Sequence, residues 1–408
     1  MRVSKLIVPG GIPPWITILI AGAYLVTVTL GIRQAFGLFL VPVSQDLGTG
    51  LQIFSLAIAM QNLVWGLSSP LFGALADRIG AWKVAALGAF IYTFGLLLMA
   101  LWVTEAGMMF GQALIGLGMG SAGISIAIGA VARAVPPKKR SLALGMVTSF
   151  GSFGQFALLP VTQMLIGGHG WQMALIILSV LTGSMVAVAL GLRDDKTSKT
   201  ADVAASITAG QALGLAVRSR DYVLLTMGFF VCGLQLAFIA THLPVYLEDA
   251  GLSRNIASWS LALVGLFNII GAFVCGWLGG IISKHKTLAT VYLLRGVIIA
   301  AFVLIPPTST SALVFGAMMG LLWLGTIPLT SGLIVVFFGP KHLSMLYGIV
   351  FLSHQVGSFV GAWLGGYLYD LTASYELMWW VNAGAGLAAF IVNWLIREAP
   401  VTPQAATA

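Results

Sequence analysis

The chain has 408 residues, of which 59% are hydrophobic and only 8% are charged, and its mean hydropathy is +1.00. This composition lies far outside the range of soluble globular proteins and indicates a protein that crosses a membrane many times. The net charge of +8 would suggest nucleic-acid binding in a soluble protein. Here we interpret it as a topology signal and expect the lipid bilayer, not nucleic acid, as the partner.

Twelve apolar runs are each long enough to cross a hydrocarbon core of about 30 Å as a helix. The first run is too long for the apolar region of a signal peptide, so we interpret it as a retained helix. The predicted spans are 14–43, 51–75, 84–103, 107–131, 142–166, 171–192, 222–247, 256–282, 288–306, 311–338, 344–369 and 376–396. The predicted fold class is therefore an all-α membrane protein with twelve transmembrane helices.

The placement of lysine and arginine predicts the orientation of these spans. If the N-terminus is cytoplasmic, seventeen of the twenty basic residues lie on the cytoplasmic side and Arg254 lies on the other. The remaining two, Arg33 and Arg295, fall inside spans. We therefore expect a multi-pass protein of the cell inner membrane with both termini in the cytoplasm.

An internal repeat relates the two halves of the chain. The stretch GIRQAFGLFLVPV, which contains Arg33, returns as GLQLAFIATHLPV, where Gln235 takes the place of Arg33. The hairpin segment that begins at Gly73 is echoed by one that begins at Gly276, an offset of 203 residues. The same offset recurs around the fifth and eleventh spans, which makes a chance origin improbable.

The repeat predicts two six-helix bundles of the same orientation, related by an axis along the membrane normal. The expected boundaries are 1–192 for the first bundle and 222–408 for the second. The segment 193–221 carries five basic residues and is predicted to be a cytoplasmic linker. This arrangement is typical of secondary transporters that rock between two open states.

The segment GALADRIG matches the Gly-x-x-x-Asp-Arg-x-Gly signature of the major facilitator superfamily, with Gly73, Asp77, Arg78 and Gly80 at the motif positions. The chain resembles that superfamily, and the resemblance implies the major facilitator fold. Gly80 allows a tight turn, while Asp77 and Arg78 could form a latch that holds one conformation closed. A turn that only anchors the topology remains the alternative.

All twelve acidic residues lie in loops or at span ends, so no carboxylate is predicted at the middle of the membrane. A relay of carboxylates or a site for a cationic substrate is therefore hard to build. Arg33 lies nine residues before Pro42, about 13 Å along a helix, and its transfer to the bilayer centre costs roughly 3 kcal/mol or more. We predict that Arg33 binds a substrate anion. The alternative is that it snorkels or bonds to backbone carbonyls.

Other polar side chains inside the spans are candidate ligands of the same substrate. His354 is the candidate for proton coupling, because a neutral imidazole enters the membrane more cheaply than a charge. Gln61, Asn62 and Trp65 on the second span are weaker candidates. The predicted substrate-binding set is Arg33, Gln34, Ser121, Ser125, Gln235, His242, Trp323, Thr330, His354 and Ser358. Each could instead be a core residue with an interhelical hydrogen bond.

Arg295 is also deep in a predicted span, but for this arginine we favour hydrogen bonds to carbonyls or stacking between helices over a role in substrate binding. Cys232 and Cys275 fall in apolar segments and read as small core residues. No phosphate loop, zinc spacing or nucleophile motif is found in the sequence. We therefore expect a protein that is not an enzyme and that has no cofactor and no metal.

Several stretches together resemble the branch of bacterial monocarboxylate transporters and oxalate:formate antiporters. They are GIRQAFGLFLVPVSQDLG, ADRIG, LFN at 266–268, the pair Lys286 and Thr287, and YGIVFLSHQVGSF. Relatives of this kind carry small organic anions, and the oxalate exchanger uses two cationic residues for its dianion. Here the corresponding places hold Ala272 and His354, which favours a mono-anion over a dicarboxylate.

The resulting hypothesis is a monomeric secondary transporter that moves a monocarboxylate-like anion by alternating access, coupled to a proton or by exchange. The alternative is an efflux carrier for amphipathic drugs or other uncharged compounds. The sequence weakens this alternative, because Gln112 stands where drug/proton antiporters usually have arginine on the fourth helix. The fifth predicted span also lacks their Gly-Pro-x-x-Gly-Gly pattern.

Overall fold

A computed structural model describes residues 13–193, 209–339 and 343–401, apart from a few side chains within those ranges. Twelve helical segments in this part of the chain are long and apolar enough to cross a membrane, as the sequence predicted. We number them span 1 to span 12 in chain order. The nine spans with one main helix are Leu51–Ile79, Ala81–Leu101, Pro137–His169, Trp171–Ala189, Arg220–Asp249, Arg254–Ile281, Lys284–Leu304, Leu343–Thr372 and Glu376–Trp394.

The other three spans are interrupted. Span 1 comprises Pro14–Ala35, a 3₁₀ turn at Phe36–Phe39 and Leu40–Leu47, span 4 comprises Glu105–Ala122 and Ile124–Ala134, and span 10 comprises Ser309–Leu322 and Thr326–Phe338. The breaks in spans 4 and 10 lie at Gly123 and at Trp323 to Gly325, so they repeat at about the offset found in the sequence. Interrupted helices at membrane depth are a feature of transporter binding regions.

The two groups of six spans pack into two bundles that meet along two seams. Span 2 packs against span 11 at one seam, and span 5 packs against span 8 at the other. Between the seams, the 3₁₀ turn of span 1 contacts span 7. A Cβ on Gly37 of that turn would lie 2.3 Å from the carbonyl oxygen of Ala240, so the bundles meet closely there because Gly37 has no side chain.

Span 1 begins and span 12 ends on the same face, because twelve spans alternate in direction. We call this face the terminal side and the opposite face the far side. The far side is closed by a contact between the two bundles. The backbone amides of Leu51 and Gln52, at the start of span 2, donate to the Asp370 carboxylate of span 11 at 2.9 and 2.8 Å. One bundle thus supplies the N-terminal cap of a helix in the other, a site that favours negative charge.

The seams separate toward the terminal side. Gly66 of span 2 lies against Gln355 of span 11, and Ser152 of span 5 lies against span 8. Gly73, Gly145 and Gly348 lie seven residues closer to the terminal side than Gly66, Ser152 and Gln355, on the same helix faces. A Cβ on any of these three glycines would meet no heavy atom within 4 Å among the described residues. Among the described residues, the bundles are therefore in contact on the far side and apart at these three positions on the terminal side.

Candidate functional site

Arg33 lies between the bundles, just on the terminal side of the Gly37 contact. It borders a small cavity in which the centre of a water molecule can occupy a volume of about 10 Å³. The cavity thus has room for about one water. The first bundle contributes Arg33, Phe36, Gly37, Ile58, Gln61 and Asn62 to the wall, and the second contributes Ala237, Ala240 and Thr241. Among the described residues, Arg33 is thus the only charged group of this wall, to which both bundles contribute.

The guanidinium of Arg33 has only neutral partners among the described residues. Its Nη2 donates to Asn62 Oδ1 at 2.8 Å, and its Cζ lies 5.3 Å from the ring centroid of Trp65. Its Nε is buried without a hydrogen-bond partner. A guanidinium offers five N–H donors, so this group keeps donor capacity for an anion while an amide and an aromatic face hold it in place.

A chain of aromatic contacts connects Arg33 to His354. The Trp65 ring packs edge-on against Phe351 of the other bundle, with centroids 5.3 Å apart. Phe351 stacks on the His354 ring at 5.8 Å and an angle of 10°. His354 itself does not border the Arg33 cavity; its Nδ1 lies 3.2 Å from Gln355 Oε1 and 3.4 Å from Ser358 Oγ. The structure therefore groups His354 with Ser358 and links them to Arg33 through two rings.

Three other candidates are buried in the helix packing away from this cavity. Gln235 donates to the backbone oxygen of Asn382 at 3.0 Å. His242 lies 3.0 Å from the Tyr375 hydroxyl and 2.7 Å from the Ala362 carbonyl, so both of its ring nitrogens have partners. Gln34 is fully buried, and neither end of its amide has a hydrogen-bond partner among the described residues.

The remaining candidates are spread over spans 4 and 10. Ser121 is buried and donates to the Leu117 carbonyl of its own helix, whereas Ser125 is exposed. Thr330 is fully buried with an unpaired hydroxyl, and Trp323 is buried at the break of span 10. None of the four borders the cavity beside Arg33.

Arg295 has a different environment from Arg33. Its Nε and Nη2 donate to the Leu322 carbonyl at 3.1 and 2.6 Å, and Nη2 also contacts the Trp323 carbonyl. Its Nη1 lies 3.3 Å from Cys232 Sγ. These carbonyls are freed by the break of span 10, and a broken helix in a membrane needs such substitute partners. The expectation that Arg295 bonds to backbone carbonyls is confirmed.

The signature segment forms the turn between spans 2 and 3. Gly80 has φ of +98°, a conformation that glycine adopts without steric cost. Arg78 is exposed, and a Cβ on Gly73 would meet no described atom. The side chain of Asp77 lies outside the described part of the chain, so the latch stays a prediction.

The sequence analysis predicts Asn62 and Trp65 only as weaker candidates and does not name Thr241. The spacing alone contained a signal for the first two, because Asn62 and Trp65 lie one turn apart on a span that faces the other bundle. Thr241 has no such signal, since its place beside Arg33 depends on how span 7 packs against span 1.

Comparison with known proteins agrees with this architecture. The family model described as Major Facilitator Superfamily matches residues 22–331. The chain belongs to the Major Facilitator Superfamily. It is therefore a membrane transporter of a small molecule and not an enzyme.

Full-length relatives are similar at low identity. The rat protein named monocarboxylate transporter 13 is 26% identical over 395 residues, covering 93% of this chain and 88% of that protein. The human protein named monocarboxylate transporter 11 is 24% identical over 420 residues, with 96% and 86% covered. The protein of Bacillus subtilis strain 168 named uncharacterized MFS-type transporter YcxA is 25% identical over 357 residues, with 85% and 86% covered.

Proposed function

We propose that this member of the superfamily transports a small organic mono-anion, such as a monocarboxylate, and that Arg33 binds the anionic group. The observation that carries the proposal is the environment of Arg33. The arginine is the charged wall residue of a cavity between the bundles, and its described partners are the neutral side chains of Asn62 and Trp65. The guanidinium of Arg33 suits a carboxylate, because it can bind both carboxylate oxygens with two parallel hydrogen bonds.

The single fixed cation agrees with a mono-anion. Arg295, the other intramembrane arginine, already donates to two backbone carbonyls. Apolar wall residues such as Phe36, Ile58 and Ala237 suit a short hydrocarbon chain. The relatives named monocarboxylate transporters support the same substrate class.

We also propose the orientation and the transport cycle. The excess of basic residues on the terminal side supports a cytoplasmic location for that side at the cell inner membrane. The proposed bundles are 1–192 and 222–408, and the proposed linker is 193–221. The structure then represents an inward-open state. Rocking of the bundles would open the Asp370 contact and expose Arg33 to the outside. His354 is the proposed proton carrier, linked to Arg33 through Phe351 and Trp65.

The test is uptake of radiolabelled short-chain monocarboxylates into proteoliposomes by the wild type and by Arg33→Gln. We expect the substitution to reduce uptake by about 100-fold or more, because a hydrogen bond to a charged group in a buried site is worth about 1.5–3 kcal/mol and a guanidinium can supply two. Arg33→Lys should retain partial activity, since it keeps the charge but not the planar pair of donors.

The matched control is Arg254→Gln, which removes an exposed arginine paired with Glu248 on the far surface. It should transport at the wild-type rate. Wild-type uptake by a well-folded Arg33→Gln protein would contradict the proposal. That result, together with export of an uncharged amphipathic compound, would support the drug-efflux alternative.

A further inference from the structure

Asn268 occupies a junction between the break of span 10 and the seam between the bundles. Its Oδ1 accepts a hydrogen bond at 2.9 Å from the backbone amide of Leu324, inside the break. Its Nδ2 donates at 2.8 Å to Ser152 Oγ on span 5 of the other bundle. Asn268 is only 1% exposed, so water does not replace either bond in this state.

The orientation of this amide is fixed by its partners. A backbone N–H can only donate, so the atom that faces Leu324 must be the oxygen of Asn268. The amide nitrogen then faces Ser152, whose hydroxyl can accept. Turning the amide over would break the bond from Leu324, because two N–H groups would then face each other. The side chain therefore holds a defined link between span 10 and span 5.

The repeat gives this link a counterpart. Asn268 and Trp65 are separated by the repeat offset of 203 residues, so they occupy equivalent places on spans 8 and 2. Trp65 contacts Phe351 across its seam and also lies beside Arg33. At each seam, the equivalent residue thus connects the opposite bundle with the surroundings of an intramembrane arginine.

The contact between Asn268 and Ser152 lies near the end of the seam between the bundles. It is near the point where the seam between spans 5 and 8 ends, because Gly145, two turns farther toward the terminal side on span 5, has no described neighbour for a Cβ. On the far side of it, Phe156 and Trp259 pack across the same seam, with ring centroids 6.1 Å apart.

We propose that Asn268 is a positioning residue that couples the break of span 10 to closure of the far side. When Ser152 accepts from Asn268, the amide is held so that its oxygen also supports Leu324. Movement of span 5 during the transport cycle would remove the acceptor and free Asn268, and with it the break of span 10, to rearrange. The inference rests on alternating access in the proposed function and not on the anion chemistry of Arg33.

The test measures closure of the far side without any substrate. Ser55→Cys provides a nearly isosteric reporter, because Ser55 is fully buried against Gly366 of the other bundle at the far-side seam. A membrane-impermeant maleimide is added from the far side, and labelling is compared with protein that lacks the reporter. Cys232 and Cys275 are both buried, so the background should be low.

Ser152→Ala in the reporter protein should raise the labelling rate about three- to tenfold, as expected when one buried hydrogen bond that favours the closed state is lost. Ser152→Thr keeps a hydroxyl and should restore slow labelling. Asn268→Ala should raise labelling at least as much, and the double variant should not exceed it, because both substitutions remove the same bond.

The matched control is Asn393→Ala. Asn393 is fully buried but donates only within its own helix, to the Ala389 carbonyl, so its loss should lower thermal stability without faster labelling. Unchanged labelling in folded Ser152→Ala, or equal acceleration in Asn393→Ala, would overturn the proposal. If Asn268→Ala fails to fold, Ser152→Ala still decides, because it keeps the Asn268 side chain and removes only its acceptor on span 5. If Arg33→Gln loses transport while the Ser55→Cys reporter in that protein is labelled at the normal rate, the result concerns the anion site and not the role of Asn268.

Discussion

Arg33 and Arg295 are the two arginines near the middle of a span, and the protein accommodates these two buried cations in opposite ways. Arg295 is fully buried and donates to the carbonyls of Leu322 and Trp323, which the break of span 10 leaves without helical partners. Arg33 is partly buried, donates to the side chain of Asn62 and has a buried Nε without a partner. The first arginine completes the backbone, whereas the second keeps capacity for another molecule.

The comparison teaches that burial alone does not indicate function. The more deeply buried arginine has the more complete set of protein partners, and the incompletely paired one borders the space between the bundles. A substrate anion competes only with neutral groups at Arg33, while at Arg295 it would have to displace backbone carbonyls that have no other donor.

The largest effect should come from replacing each arginine by methionine, which has similar length and no charge. Arg295→Met should lower the free energy of unfolding by about 3 kcal/mol or more, because each buried group left unsatisfied costs about 1–3 kcal/mol. Arg33→Met should change it by less than about 1 kcal/mol, since it also removes a poorly solvated charge. Thermal unfolding of the purified proteins in detergent measures both.

Arg295→Lys is the control for charge. A lysine ammonium lacks the planar fork that reaches two carbonyls, so this variant should be intermediate in stability. If Arg33→Met proved as destabilising as Arg295→Met, the distinction between the two arginines would be lost and Arg33 would be a structural residue.

A smaller effect is expected from the aromatic face beside Arg33. Trp65→Leu should raise the KM for the transported anion by roughly two- to thirtyfold, because a cation–π contact contributes about 0.5–2 kcal/mol. Trp65→Phe keeps an aromatic face and should have a milder effect. Concentration-dependent uptake into proteoliposomes provides the measurement.

Trp259→Leu offers the matched control at the other seam. Trp259 packs against Phe156 across the bundles, so its loss weakens the seam without touching Arg33. An equal rise in KM for both leucine variants would mean that Trp65 acts through bundle packing and not through the arginine.

The smallest effect on stability is expected from the ion pair of Lys284, which lies at the start of span 9, the helix that contains Arg295. Lys284 Nζ lies 3.0 Å from Glu398 Oε1. Burial raises the pKa of the Glu398 carboxyl, but hydrogen bonds from Lys284 and Ser283 outweigh this, so the pKa is lowered overall. Because the pKa is lower in the folded protein, the stabilisation is complete above the ordinary glutamate pKa of about 4.3 and is lost as the pH falls through the lowered value.

Glu398→Gln should therefore cost about 1 kcal/mol at neutral pH, near the upper end for surface ion pairs, because Lys284 and Glu398 are partly exposed to solvent. The difference in thermal stability between this variant and the wild type should shrink as the pH falls below about 4. A larger or pH-independent loss would show that surface pairing on span 9 matters as much as the contacts of Arg295.

The sequence predicted the spans well because hydrophobic length is a direct requirement of the bilayer. The repeat predicted two halves with equivalent helices, but not that spans 4 and 10 would both be broken. Asp370 illustrates the limit: it was recognised as an acidic residue near a span end, yet its role as a cap for span 2 depends on a contact 318 residues away in sequence.

The charged residue of the candidate site could be predicted from the sequence, but the residues that surround it could not. Arg33 stood out because the sequence predicts no carboxylate at the middle of the membrane. His242 and Gln235 looked similar to His354 in the sequence, and only packing shows that their partners are Tyr375 and the backbone of Asn382. Helical periodicity indicates which residues share a face, but not which neighbour that face meets.

The contact of Asp370 with span 2 has a consequence for local stability. The first amides of a helix have no partner within it, and for Leu51 and Gln52 the partner belongs to the other bundle. When the far side opens, these amides lose their acceptor and the first turn of span 2 can fray into water. Hydrogen exchange at Leu51 and Gln52 would then follow the transport cycle, so that one turn of helix records which side of the carrier is open.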